Sequence, residues 1–161
     1  MTAVIVERLV DWQDTDAAGH YHHSTVIRWV EAAEAALLEA RGLRWLFGTI
    51  PRVRYEVDYL DRLWFGDTAS IELTVGKIGR SSVRYDFVIR RIAAEHGLDD
   101  AVARTVAARG ALTAVYAPDS QGGARPWPTD TAAALGGESA PETAGADTKT
   151  IALQPTPILE V

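Results

Sequence analysis

Alternation of apolar and polar positions divides this chain into strand-like stretches around one helix-like stretch. Residues 52–60 alternate most cleanly, with Val53, Tyr55, Val57 and Tyr59 on one parity and Arg54, Glu56 and Asp58 on the other. That period of two marks a strand with one buried face. Residues 68–77 set Ile71, Leu73 and Val75 against Ser70, Glu72 and Thr74, and residues 82–92 set Val83, Tyr85, Phe87 and Ile89 against Arg84, Asp86, Val88 and Arg90. Residues 3–12 alternate only in part, but β-branched Val4, Val6 and Val10 favour an extended chain. Residues 101–116 are alanine-rich, yet Val102, Val106 and the run from Leu112 to Tyr116 also favour a strand. Residues 24–41 differ. Val26, Ile27, Val30, Ala33, Leu37 and Leu38 recur at helical spacing, Ser24 or Thr25 offers an N-cap, and Gly42 stands where a C-cap glycine belongs. Alanines at 32, 33, 35, 36 and 40 suit a helix with close neighbours on several sides.

The connections are short. Residues 60–67 read as a link, Gly76 and Gly79 bracket a turn around Lys77 and Ile78, and residues 95–100 form a hairpin connection with Gly97 at positive φ. The order β-α-β-β-β-β therefore predicts an α+β fold: a five-stranded antiparallel meander wrapped around one long central helix. An open sheet edge is a liability, so two copies are expected to pair their sheets. From residue 118 proline, glycine, alanine and threonine dominate. The chain then divides into a domain over 1–117 and an extension over 118–161, with 129–150 a flexible tail and an apolar end suited to docking.

Composition narrows the function classes. With 161 residues, 47% hydrophobic and 24% charged, the chain fits one domain with a sizeable core. The net charge of -6 counts against nucleic acid as a partner. The absence of cysteine removes disulfides, thiolate nucleophiles and cysteine metal ligands, and fits the cytoplasm. Residues 1–14 lack a basic leader region, and no apolar run approaches a membrane span.

Chemistry concentrates in the turn before the helix, where Asp11, Asp14, Asp16, His20, His22 and His23 gather at a helix N-terminus that favours negative charge. A metal site is not expected there, because neighbouring residues of an extended turn point in different directions. The pattern D-x-D-x-x-G-H-x-x-H (Asp14, Asp16, Gly19, His20, His23), running into Arg28, Trp29 and Glu31, resembles the hotdog-fold acyl-CoA thioesterases of the 4-hydroxybenzoyl-CoA thioesterase type. The element order agrees, as do Leu63–Asp67 (LWFGD) and Gly79–Ser82 (GRSS).

That resemblance implies an acyl thioester hydrolase acting on coenzyme A or acyl carrier protein thioesters, as a homodimer or homotetramer. No cofactor is expected beyond the coenzyme A or phosphopantetheine of the substrate. Asp16 matches the catalytic carboxylate, which attacks the thioester carbonyl or deprotonates water, and His23 the position whose backbone N–H holds the oxyanion. Glu31 is the reserve base. Gly19, His20, Tyr21 and Ser24 are expected around the substrate, with Arg80, Ser81 and Ser82 on its phosphates. Asp14 is assigned to loop structure. The runner-up readings are an acyl-thioester hydratase or dehydratase using His20 or His23 with Asp16, and a non-catalytic acyl-binding protein.

Overall fold

A computed structural model describes residues 3–92, 105–119, 121–136 and 150–151. Strand β1 (Ala3–Leu9) leads through a 3₁₀ turn at Trp12–Asp14 into helix α1 (Thr25–Ala40). Strands β2 (Arg52–Tyr59), β3 (Thr68–Ile78), β4 (Ser82–Ile92) and β5 (Val106–Val115) follow, then a short helix α2 (Thr131–Gly136) and a two-residue strand β6 (Thr150–Ile151).

Helix α1 forms and stops for local reasons. Val26, Trp29, Val30, Ala33 and Leu37 form its buried stripe, at the spacing that keeps one helix face on the core. Gly42 adopts φ 67°, and the N–H of Leu43 reaches the carbonyl of Leu38 at 2.8 Å while that of Gly42 reaches Glu39 at 3.1 Å. Those two bonds close a Schellman motif, with Leu38 and Leu43 both buried beside it. The N-terminus differs from expectation. Ser24 occupies the N-cap position but makes no side-chain capping bond, because its hydroxyl pairs with the His22 ring.

The sheet runs β2-β5-β4-β3-β1-β6, antiparallel except for the β1–β6 pair. This corrects the simple meander. Only β3, β4 and β5 follow one another; β2 crosses to the far side of β5, and β1 closes on β3. The crossings leave α1 packed on β1 and β3. The inward parity of β4 (Val83, Tyr85, Phe87, Ile89) and of β3 (Ala69, Ile71, Leu73) is almost wholly buried. Each larger aliphatic side chain among them contributes about 1.5–3 kcal/mol of burial. The same alternation in β2 does not translate into burial, because β2 is an edge strand: Val53 and Tyr59 stay exposed. Gly110 in β5 lies so close to the Glu56 backbone carbonyl and the Phe87 ring that a Cβ there would collide with both.

Two further expectations change. β3 continues through Lys77 and Ile78, with a register irregularity after Val75, so the turn lies at residues 79–81. Residues 131–136 are not a loose tail but the helix α2, whose Leu135 is fully buried in the core. Arg41, at the end of α1, donates to the Ala134 and Leu135 carbonyls of α2. The hairpin at Gly97 and residues 101–104 lie outside the described residues, as does most of the stretch beyond 136.

Candidate active site

The turn before α1 is stapled to the body of the protein at both ends. Val10 donates to the Asp67 carbonyl at 2.8 Å, and Gly66 returns a bond to Val10 at 3.0 Å. Asp14 is buried, and its carboxylate accepts the Asp11 N–H at 3.1 Å and the Arg28 guanidinium at 2.8 Å. Its carbonyl accepts the His22 N–H at 2.7 Å and the Thr25 hydroxyl at 3.1 Å. Asp14 thus holds the loop against the helix.

Asp16 is placed quite differently. It is exposed at the loop surface, and its Oδ1 accepts the Ala18 N–H at 2.8 Å while its carbonyl accepts the Gly19 N–H at 2.9 Å. Gly19 sits at φ 81°, and a Cβ there would meet only the Trp64 ring at an ordinary contact of 3.9 Å, so glycine is there for its backbone conformation. This Asx turn fixes one carboxylate oxygen and leaves Oδ2 without a partner among the described residues. Asp16 lines a cleft of about 460 Å³ together with His20, Tyr21, His23, Tyr59, Leu60, Asp61 and Arg62.

The amide expected to stabilise negative charge points out of the helix N-terminus. The His22 carbonyl accepts the Thr25 N–H at 2.9 Å, so it points along the helix. In a trans peptide the following N–H points the opposite way, which aims the His23 N–H outward from the helix N-terminus. It has no partner among the described residues, whereas the Ser24 N–H is taken by the His22 ring at 3.3 Å. Tyr59 donates to the His23 carbonyl at 3.0 Å and tethers this corner to β2. Burial pushes the Tyr59 hydroxyl above its ordinary value, so it stays a donor. Tyr21 is pushed up to about 12, mainly by burial and then by neighbouring Tyr59 and Asp61, and its hydroxyl reaches the Asp61 carbonyl at 3.3 Å.

The chain therefore brings Asp16, His20, Tyr21 and His23 into one cleft. Ser24 stands outside that cleft: with its hydroxyl 2.8 Å from the His22 ring nitrogen, it lines a second depression of about 420 Å³ shared with Gln13 and Arg28. Arg80, Ser81 and Ser82 also stand outside the cleft within this chain. They follow the far end of β3, whereas Trp64 and Asp67, which touch the site, precede its near end. Eleven residues of strand put roughly 33 Å between those ends. Within one chain this turn does not reach the cleft. Its carbonyls instead accept bonds from the C-terminal segment: Gly79 from the Trp127 ring at 3.1 Å, Arg80 from the Trp127 N–H at 3.0 Å and Ser81 from the Tyr116 N–H at 2.8 Å.

Glu31 lies two turns into α1 and accepts the Tyr55 hydroxyl at 3.2 Å, outside the cleft lining. His20 packs edge-on against Trp64 at 5.7 Å, and the rings of His22 and His23 lie 4.0 Å apart. Among the described residues no three histidine or acidic side chains gather as a metal site. Sequence reasoning missed Tyr59, Asp61 and Arg62. The first was read as one face of a strand and the others as a link; only the chain's return past the helix N-terminus makes them cleft walls.

A single helix packed into a curved antiparallel sheet, with an acidic cleft at the helix N-terminus, defines the hotdog class. The model of the thioesterase-like superfamily matches residues 10–135, and the chain belongs to that superfamily. It is 35% identical over 98 residues to a 1,4-dihydroxy-2-naphthoyl-CoA hydrolase of Prochlorococcus marinus (strain NATL2A), covering 53% of this chain and 61% of that protein. The chain thus spans somewhat under two thirds of that relative. Among solved structures, a 1,4-dihydroxy-2-naphthoyl-CoA thioesterase from Synechocystis superposes with a TM-score of 0.69 at 20% identity, over 83% of this chain and 95% of that one. A thioesterase from Thermus thermophilus, complexed with coenzyme A and Zn, gives 0.67 at 25% identity, over the same shares of the two chains. No helix among the described residues is long and apolar enough to cross a membrane.

Proposed function

We propose that this protein hydrolyses acyl thioesters, with Asp16 as the catalytic carboxylate and the His23 N–H as oxyanion donor. One observation carries the reading. Asp16, anchored with one carboxylate oxygen free, and His23, whose N–H at the N-terminus of a buried helix is unpartnered among the described residues, line the same cleft. A thioester carbonyl lying between them is attacked by Asp16 Oδ2, giving a mixed anhydride that water then opens, or by water that Asp16 has deprotonated. Either route expels the thiolate and places negative charge on the carbonyl oxygen, where the amide and the helix dipole stabilise it.

The acyl group is an aromatic one on coenzyme A. The rings of Tyr21 and Tyr59 face the cleft 6.4 Å apart, tilted by 33°, beside His20 and His23, and offer flat surfaces for a flat acyl group. The named relatives act on a naphthoyl thioester. Arg80, Ser81 and Ser82 join such a site only from a second subunit. Exposed Val53 and Tyr59 on the β2 edge favour a dimer that continues the sheet. Light scattering at micromolar concentration is expected to give twice the chain mass; a monomer sinks this part of the reading. We place the enzyme in the cytoplasm, in keeping with its lack of cysteine.

The test is thiol release from a panel of aromatic, branched, short and long acyl thioesters on coenzyme A and on carrier protein. Asp16→Asn is expected to keep its fold by circular dichroism and to lose activity by a hundredfold to ten-thousandfold, on the order of a lost general base or nucleophile. Full activity in that variant removes Asp16 from the mechanism.

A further inference from the structure

Resting on the thioesterase reading of the Asp16 cleft, we propose that Arg62 is the anchor for a phosphate of the substrate's carrier. Nine arginines among the described residues stand within ion-pair distance of a carboxylate: 28, 44, 52, 54, 84, 90, 91, 109 and 125. Arg62 is in none of those pairs, yet it lines the cleft. Its neighbour Asp61 does not neutralise it by a direct bond. One Asp61 oxygen accepts the Arg62 backbone N–H at 2.8 Å, and the other accepts the Thr105 hydroxyl at 2.9 Å. The Leu60 and Asp61 N–H groups both bond to the Ala107 carbonyl, at 2.8 and 3.1 Å, and fix the backbone from which Arg62 projects.

The position of Arg62 selects the carrier rather than the acyl group. Tyr21 is buried at the inner wall of the cleft, whereas Arg62 is exposed at its rim. The acyl group sits inside, and the part of the substrate that emerges toward solvent passes the rim. Coenzyme A and phosphopantetheine are anionic there, and they approach a chain of net charge -6 whose cleft already holds Asp16 and Asp61. A cation at the mouth offsets that repulsion locally, and a guanidinium fork matches two phosphate oxygens.

Arg62→Ala, Arg62→Lys and the wild type are compared on one acyl group carried by coenzyme A, by 4′-phosphopantetheine and by phosphate-free pantetheine. Arg62→Ala is expected to raise KM about tenfold for phosphate-bearing carriers, with kcat unchanged and the pantetheine thioester unaffected. Arg62→Lys falls between, since it keeps the charge and loses the fork. Added salt narrows the difference, as expected of an exposed charge contact. A rise on both phosphate-bearing carriers puts the contact on the phosphate next to pantetheine; a rise on coenzyme A alone puts it on the nucleotide phosphates. An equal rise on all three carriers overturns the proposal. Coenzyme A itself, titrated calorimetrically into wild type and Arg62→Ala, separates this proposal from the assignment of Asp16. Binding about tenfold weaker in the variant supports the anchor even where Asp16→Asn stays active, and unchanged or undetectable wild-type binding overturns it.

Discussion

Two acidic groups, one in the turn before α1 and one within the helix, stand in opposite circumstances. At the N-terminus Asp16 is exposed, held by one backbone amide, and keeps an oxygen free. Toward the C-terminal half Glu34 is fully buried, and its Oε2 takes both the Nε and the Nη2 of Arg52, at 2.9 and 2.5 Å. Tyr55 bonds to Glu31 alongside. The first acid is anchored by the main chain and left available to a ligand. The second is used up in tying helix to edge strand. An acid paired inside the fold holds elements together; an acid with a free oxygen at a cleft is open to a ligand.

The contrast is broken most severely by exchanging the two kinds of damage. Asp16→Asn is expected to abolish most thioester cleavage with a urea midpoint close to wild type. Arg52→Ala leaves Glu34 buried without its partner, and removal of one member of a buried pair costs about 3–5 kcal/mol of stability. That loss is read as a lower urea midpoint, with Asp16-dependent turnover surviving where the variant remains folded. Replacing both Glu34 and Arg52 by leucine is the control, since a well-packed apolar pair of similar volume restores much of the loss. If Arg52→Ala is as stable as wild type, the Glu34–Arg52 pair does not tie α1 to β2.

The same contrast explains what the sequence made legible. The helix, its glycine stop and the alternating strands β3 and β4 were readable because local periodicity and tertiary burial agree there. Strand β2 alternates as cleanly, but burial depends on neighbours, and the crossover that makes β2 an edge is invisible to period. Glu31 reads as the reserve base, and nothing local announces that Tyr55 arrives opposite it or that Arg52 arrives opposite Glu34. Asp14 and Asp16 were separable because a motif distinguishes them, and Asp14 then proved to be the internal staple. Nothing local announces that Arg91 lies 2.8 Å from the carboxylate of buried Asp67. The Gly79–Ser82 turn carries residue types suited to phosphate, but nothing local says that within one chain it lies at the far end of the sheet from Asp16.

The smallest expected effect sharpens the comparison through pH. Burial raises the Glu34 carboxyl above its ordinary value, and Arg52 beside it pulls it back only in part. Glu34 Oε1 is buried without a partner, while Oε2 accepts both Arg52 nitrogens. A proton on Oε1 therefore removes the buried charge without displacing Arg52. Because the folded value lies above the unfolded one, the folded chain binds the extra proton between the two. Stability from this group is thus greatest below the ordinary carboxylate value and falls as pH rises through the window up to the raised value. Glu34→Gln keeps the shape and an acceptor for Arg52 but cannot titrate. Urea midpoints measured from about pH 4.5 to about pH 7 are expected to fall less steeply in Glu34→Gln than in wild type, with the curves closest at the acid end. Parallel curves would mean that Glu34 stays ionised throughout and that Arg52 outweighs its burial. The charge of Glu34 would then be met in full by Arg52, and that of Asp16 by a backbone amide alone.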